Sequence, residues 1–150
     1  MIFLASDHAG FELKNKIISH FKEQGIEALD KGPFEYNETD DYPDFISLVA
    51  KEVSKNPESH KGIVIGGSGQ GEAMVANRFK RVRAAVYYGG STDVVSVSRE
   101  HNDSNVLSIG ARFVNEEEAL SAVETWLKTP FSNTGRHVRR INKIDSYPNI

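Results

Sequence analysis

Gly62-Ile63-Val64-Ile65-Gly66-Gly67-Ser68-Gly69-Gln70-Gly71-Glu72 is the stretch on which the reading of this chain turns. Ile63, Val64 and Ile65 form a short apolar run bounded by glycines, the pattern of a buried strand. Glu72 to Phe79 reads as a helix, so the glycines make a strand-to-helix turn. Such a turn brings successive backbone N–H groups close to an anion. This one also holds a hydroxyl, Ser68, and exits on a carboxylate, Glu72. Oxyanion donors beside a base indicate chemistry on a small molecule rather than phosphate binding alone. The turn lacks the G-x-G-x-x-G dinucleotide fingerprint, and no Gly-Lys-Ser/Thr follows as in a P-loop. The plain alternative is a flexible surface turn.

Outward from this stretch, apolar runs alternate with helical patterns. Ile2 to Ala5, Ile26 to Leu29, Gly62 to Ile65, Ala84 to Tyr88 and Val106 to Ile109 read as strands. Phe11 to Gln24 places Leu13, Ile17 and Phe21 on one helix face, and Gly25 stops it. Pro33 to Tyr42 is a polar loop. Pro43 opens a helix with Asp41 as a cap and Ile46, Val49 and Val53 inward. Thr92 to Glu100 is a short helix, Asn115 caps a helix running to Lys128, and a last helix starts near Arg136. The expected fold is α/β: a three-layer αβα sandwich around a five-stranded parallel, Rossmann-like sheet, in one domain spanning 1–150. Sheets of this kind bind ligands beyond the carboxyl ends of their strands. Asp7-His8, the glycine turn and Gly110-Ala111-Arg112 should meet there.

Composition narrows the function. At 39% hydrophobic and 26% charged, the chain has the balance of a soluble globular protein. Its net charge of -3 gives no electrostatic case for nucleic acid or an anionic membrane. With no cysteine, disulfides, thiolate catalysis and Cys-based metal sites are excluded. The N-terminus lacks a signal-peptide pattern, and no run approaches the roughly 20 apolar residues of a membrane helix. A cytoplasmic protein is expected.

Three further clusters carry chemistry or its bland equivalent. Asp7 either caps the first helix or works at the strand end with His8. Arg99-Glu100-His101-Asn102-Asp103 is either a polar helix end, His101 resting on the helix dipole, or part of the same site. Arg136 and Arg140 share a helix face beside His137. They are a solvated face or an anion grip, since arginine holds phosphate in a bidentate way.

These motifs together resemble the ribose-5-phosphate isomerase type B family and its relatives acting on galactose and allose phosphates. The likeness runs from Ser6-Asp7-His8-Ala9-Gly10 through Asp40-Asp41-Tyr42-Pro43, Gly66 to Glu72 and Ala76-Asn77. It continues through Arg99 to Asp103, Gly110-Ala111-Arg112 and Gly135-Arg136-His137. One branch of the family has a cysteine base where this chain has Gly66. The other uses a glutamate in a Gly-Gly-Ser-Gly-x-Gly-Glu context, and this chain is similar to that branch.

The resemblance implies interconversion of ribose 5-phosphate and ribulose 5-phosphate through an enediol, in the non-oxidative pentose phosphate pathway. Six-carbon sugar phosphates, or a non-catalytic subunit of a heteromer, are the alternatives. It implies Glu72 as base, Ser68 as proton relay, and His101 with Asp7 in ring opening. Backbone N–H groups of Gly67, Ser68, Gly69, Gln70 and Gly71 would form the anion hole, and Asn102 would position the substrate. His8, Arg112, Arg136, His137 and Arg140 would hold phosphate, with the C-terminal cluster reaching a neighbouring subunit of a homodimer or dimer of dimers. Tyr42 either lines the sugar pocket or packs. No cofactor or metal is expected. For Glu72 two forces compete: a helix N-terminus favours the charged form, whereas a useful base needs a higher pKa.

Overall fold

The alternation of side chains along the central strands sets the layers of this fold. The computed structural model describes residues 1–147, in the element order β1 (Ile2–Ser6), α1 (Phe11–Glu23), β2 (Ala28–Asp30), α2 (Tyr42–Lys55), β3 (Lys61–Gly66), α3 (Gln70–Ala76), β4 (Ala84–Tyr87), α4 (Asp93–Glu100), β5 (Val106–Gly110), α5 (Glu116–Lys128) and α6 (Gly135–Ser146). Leu4, Ile63, Ile65, Leu107 and Ile109 face one side, where α1, α4 and α5 bury Ile17, Phe21, Val95, Val123 and Trp126. Phe3, Ala5, Val64 and Val106 face the other, against Ile46, Val49, Ala50 and Val53 of α2 and Ala76 of α3. Strands buried on both faces read as continuous apolar runs. The sheet is parallel throughout, in the order β2-β1-β3-β5-β4. The expected three-layer α/β architecture is therefore present.

Local chemistry explains most element ends. Asn115 accepts from the Glu118 N–H at 2.9 Å, and the Glu118 carboxylate takes the Asn115 N–H at 2.8 Å, a reciprocal capping box on α5. Gly25, at φ +68°, ends α1 in the left-handed region. Asp41 stands at the α2 cap position, but its side chain makes no capping bond; Pro43 supplies the start. Several boundaries shift by one or two residues from the sequence reading, β2 to Ala28–Asp30 among them, and α3 differs at both ends. α3 begins at Gln70 rather than Glu72, because Gly69 at φ 77° turns the chain early. It ends at Ala76 rather than Phe79, where Asn77 leaves the helix and clasps the Ala84 backbone on both sides, at 2.8 and 3.2 Å.

Register carries the three central strands to a common edge. Ser6 lies opposite Ile65, and Gly66 opposite Gly110. The loops after β1, β3 and β5 are thus neighbours. α1 sits directly on the end of β3: a Cβ at Gly10 would lie 2.5 Å from the Ile65 carbonyl oxygen. Gly10→Ala should therefore lose about 1–3 kcal/mol of stability in urea denaturation, and an unchanged midpoint would contradict this close approach.

Candidate active site

Glu72 is built into the floor of the glycine turn. Although charged and in the first turn of α3, it is only 3% exposed. Its carboxylate lies against Gly66, so closely that any side chain there would run into it. A bare Cα at position 66 is what gives the carboxylate its place. Burial pushes the Glu72 pKa above the ordinary 4.5; its own N–H draws it back, the Asp7 charge pushes it further up, and the Gly69 N–H opposes. Of the two competing forces on this side chain, desolvation wins.

The turn is strapped to β5 by backbone. Ala111 donates to the Gly66 carbonyl at 2.8 Å and Arg112 to that of Gly67 at 3.1 Å. The Arg112 guanidinium lies over Gly67, with its Nη1 3.0 Å from where a Cβ would stand. Tyr42 comes from the other side, its hydroxyl 2.7 Å from the corresponding point at Gly71. Ser68 Oγ accepts from the Gln70 N–H at 3.3 Å. The five-residue anion hole expected from the sequence is thereby trimmed. Gln70 is bound to Ser68, and the Gly69 N–H serves Glu72. Gly67, Ser68 and Gly71 keep N–H groups with no partner among the described residues.

Beside the turn, Asp7 is 7% exposed and accepts from the Gly10 N–H at 3.1 Å, closing the turn that leads into α1 rather than capping the helix, whose cap position, Gly10, has no side-chain cap bond. His8 is oriented by Asp40, which the sequence motif contained without disclosing its role. Asp40 Oδ1 takes the His8 backbone N–H at 3.0 Å and faces Nδ1 at 2.7 Å. The Asp40 side chain is 5% exposed, and its second oxygen is buried with no partner among the described residues. Nothing local betrays this pair, because the two residues lie 32 positions apart. Asp7, His8 and Asp40 also place three metal-type ligand atoms within 4.8 Å. Within the set, His8 Nδ1 and Asp40 Oδ1 are joined by the 2.7 Å bond that orients the imidazole.

His101, His137 and Arg136 form a second group elsewhere. α4 ends at Glu100 as the sequence suggested, yet it runs back along the sheet and delivers His101 to the amino end of β5. From Val106 to Gly110 the strand covers about 13 Å at roughly 3.3 Å per residue. His101 therefore does not share a strand end with Glu72 of its own chain, so the reading that joins it to the same site does not hold within one chain. The His101 and His137 rings stack at 4.3 Å between centroids. His137 is 4% exposed; Ser132 Oγ contacts its Nδ1 at 2.8 Å, and Arg136 Nε donates to its Nε2 at 3.3 Å. Burial foremost, then the His101, Arg136 and Arg140 charges, lower its pKa. A neutral ring with Nδ1–H donating to Ser132 satisfies both contacts. In one chain His137 supports Arg136 rather than offering an open phosphate ligand. Asn102, Arg136 and Arg140 are exposed at this end.

Known proteins match this arrangement along nearly its whole length. The family model described as Ribose/Galactose Isomerase matches residues 2–144. Ribose-5-phosphate isomerase B of Mycolicibacterium paratuberculosis is 41% identical over 146 residues, 97% of this chain and 90% of that protein. The Escherichia coli protein of the same name is 40% identical over 143 residues, 95% of this chain and 93% of its own. A crystal structure of ribose-5-phosphate isomerase B from Mycoplasma genitalium with bound ribulose-5-phosphate has a TM-score of 0.93 at 43% identity, covering 97% of this chain and 94% of that one. The chain belongs to the ribose/galactose isomerase family.

The nesting of Glu72 on Gly66 is directly testable. Gly66→Ala should displace the flexible carboxylate, leave the melting temperature nearly unchanged and lower kcat by about a hundredfold. Retained kcat would mean that the carboxylate does not work from this position.

Proposed function

We propose that the chain interconverts ribose 5-phosphate and ribulose 5-phosphate through an enediol, with Glu72 as the proton-transferring base. The buried carboxylate beside free N–H donors carries this reading, supported by relatives of that name and the one solved with ribulose-5-phosphate. Glu72 takes the proton from C2 of the aldose and returns it to C1. Positioned acid–base groups contribute about 10²–10⁴-fold to such steps. Negative charge developing on O1 and O2 falls to the N–H groups of Gly67, Ser68 and Gly71. The Ser68 hydroxyl moves the proton between these oxygens. The base and these donors supply the polarisation between them, so the reading calls for no metal or organic cofactor.

The remaining residues require a second copy. The Glu72 group lies at the carboxyl end of the sheet and the His101 group at the amino end. We assign one complete site to Glu72, Asp7, His8, Tyr42 and Arg112 of one subunit with His101, Asn102, Arg136 and Arg140 of the partner subunit. His101 then opens the furanose with Asp7 as its counterpart, Asn102 positions the sugar, and His137 holds His101 and Arg136 in place. His8 and Arg112 meet the phosphate from one side and the arginines from the other. A homodimer, alone or paired into a dimer of dimers, gives two such sites.

The purified chain should convert ribose 5-phosphate to the ketose in the presence of a chelator, with a higher kcat/KM than for allose 6-phosphate. Preference for the six-carbon sugar would reassign the substrate. Glu72→Gln should lower kcat about 10²–10⁴-fold with KM little changed, and substantial residual turnover would move the base elsewhere. Shared sites also predict complementation. Glu72→Gln and Arg136→Ala homodimers, each crippled at low substrate, should regain about a quarter of wild-type activity once subunits exchange, because half the dimers then carry one intact site. No regain after verified exchange would place the whole site within one subunit.

A further inference from the structure

Ser108 is the hydroxyl in the otherwise apolar run Val106-Leu107-Ser108-Ile109 of β5, and it is fully buried. A buried hydroxyl in a central strand needs a partner. Ser108 finds it outside the sheet ladder: its Oγ donates to the Gly69 carbonyl at 2.6 Å. That carbonyl also accepts the first α3 bond, from the Ala73 N–H at 3.2 Å. Gly69 is the left-handed cap that turns the glycine loop into α3, three residues before Glu72. It is pressed onto β5: a Cβ there would stand 3.0 Å from the Ile109 carbonyl carbon and 3.1 Å from the Gly110 nitrogen. The contact is reciprocal, because a Cβ at Gly110 would stand 2.6 Å from the Ser68 carbonyl oxygen.

We propose that Ser108 is a positioning residue for proton transfer: by gripping the Gly69 carbonyl from within the sheet it fixes the glycine turn, and through it the Glu72 carboxylate. The proposal rests on Glu72 being the base. Among the described residues, only this hydrogen bond joins the turn to β5 through a side chain, alongside the backbone straps from Ala111 and Arg112. It acts on the far side of the turn from those straps, at the residue that starts the helix. The Gly69 N–H also opposes the upward pull of burial on Glu72, so a loosened Gly69 alters the carboxylate's proton affinity as well as its place. Ser108 touches no reacting atom in this scheme.

The pH dependence of kcat and kcat/KM for Ser108→Ala and Ser108→Cys tests this, with Glu72→Gln measured alongside. Cysteine fills the space of the hydroxyl, with a slightly larger atom, but is a weak donor. Both Ser108 variants should lose about tenfold in kcat with KM nearly constant. The sign of the pH effect follows from the lost support: a less stabilised carboxylate holds its proton more tightly, so the acid limb should move upward by about half a unit. Wild-type kcat and an unmoved acid limb in both variants would overturn the proposal. So would a wild-type profile in Ser108→Cys alone, which would assign the effect of alanine to lost volume. Normal turnover by Glu72→Gln would remove the premise, and is distinguishable because it does not depend on Ser108.

Discussion

A carboxylate buried against a bare Cα organises the carboxyl end of this sheet. Gly66 has no side chain, and the Glu72 carboxylate occupies the space that one would fill. Everything around the site serves that placement. β3 ends there, Gly69 turns the chain early into α3, and β5 straps the turn from beneath. The arrangement also gives a physical meaning to the two branches that the family resemblance distinguishes. A cysteine at position 66 and a glutamate at position 72 would claim the same volume, so a chain of this geometry has room for one base and not for both.

That placement works against the fold at the pH where the enzyme would act. The folded pKa of Glu72 is raised, foremost by burial. A group with a raised folded pKa lends stability that is fully present below its unfolded value, near 4.5, and lost as pH rises through the folded value. Folding therefore favours the protonated acid, whereas proton abstraction needs the carboxylate. Such opposition is common where a functional group is held in a costly state by its surroundings. Here the restraint comes from N–H groups of Gly69 and Glu72 itself, which limit the shift without abolishing it.

Sheet polarity explains how the remaining residues are divided. Every strand runs the same way, so loops after strands gather at one end and loops before strands at the other. Asp7, the glycine turn and Arg112 follow strands; His101 and Asn102 precede β5. α6 starts beside them, with the Ser132 N–H on the Glu100 carbonyl at 3.1 Å and Asp145 meeting Arg83 at 3.5 Å. The two groups each hold half of the expected chemistry, and two chains in register could supply both halves to each site. What was readable in the sequence followed from local periodicity. Apolar runs marked the strands, Asn115 marked a cap, and glycines marked the turn that carries Glu72. What was unreadable depended on contacts between distant residues. The pairing of Asp40 with His8, the insertion of β5 between β3 and β4, and the seating of His101 on His137 have no signature in any short window. The direction of the Glu72 pKa was likewise undecidable, since its helix position and its burial act with opposite sign.

Glu72 is a buried carboxylate whose pKa is raised by its burial. The most direct measurement is an isotope-edited infrared titration of the glutamate carboxyl groups, taken as the difference between the wild-type chain and Glu72→Gln. One carboxyl, absent from the variant, should ionise above the ordinary glutamate value of 4.5. A difference signal ionising at or below that value would contradict it, and would mean that the helix N-terminus, rather than burial, governs this side chain.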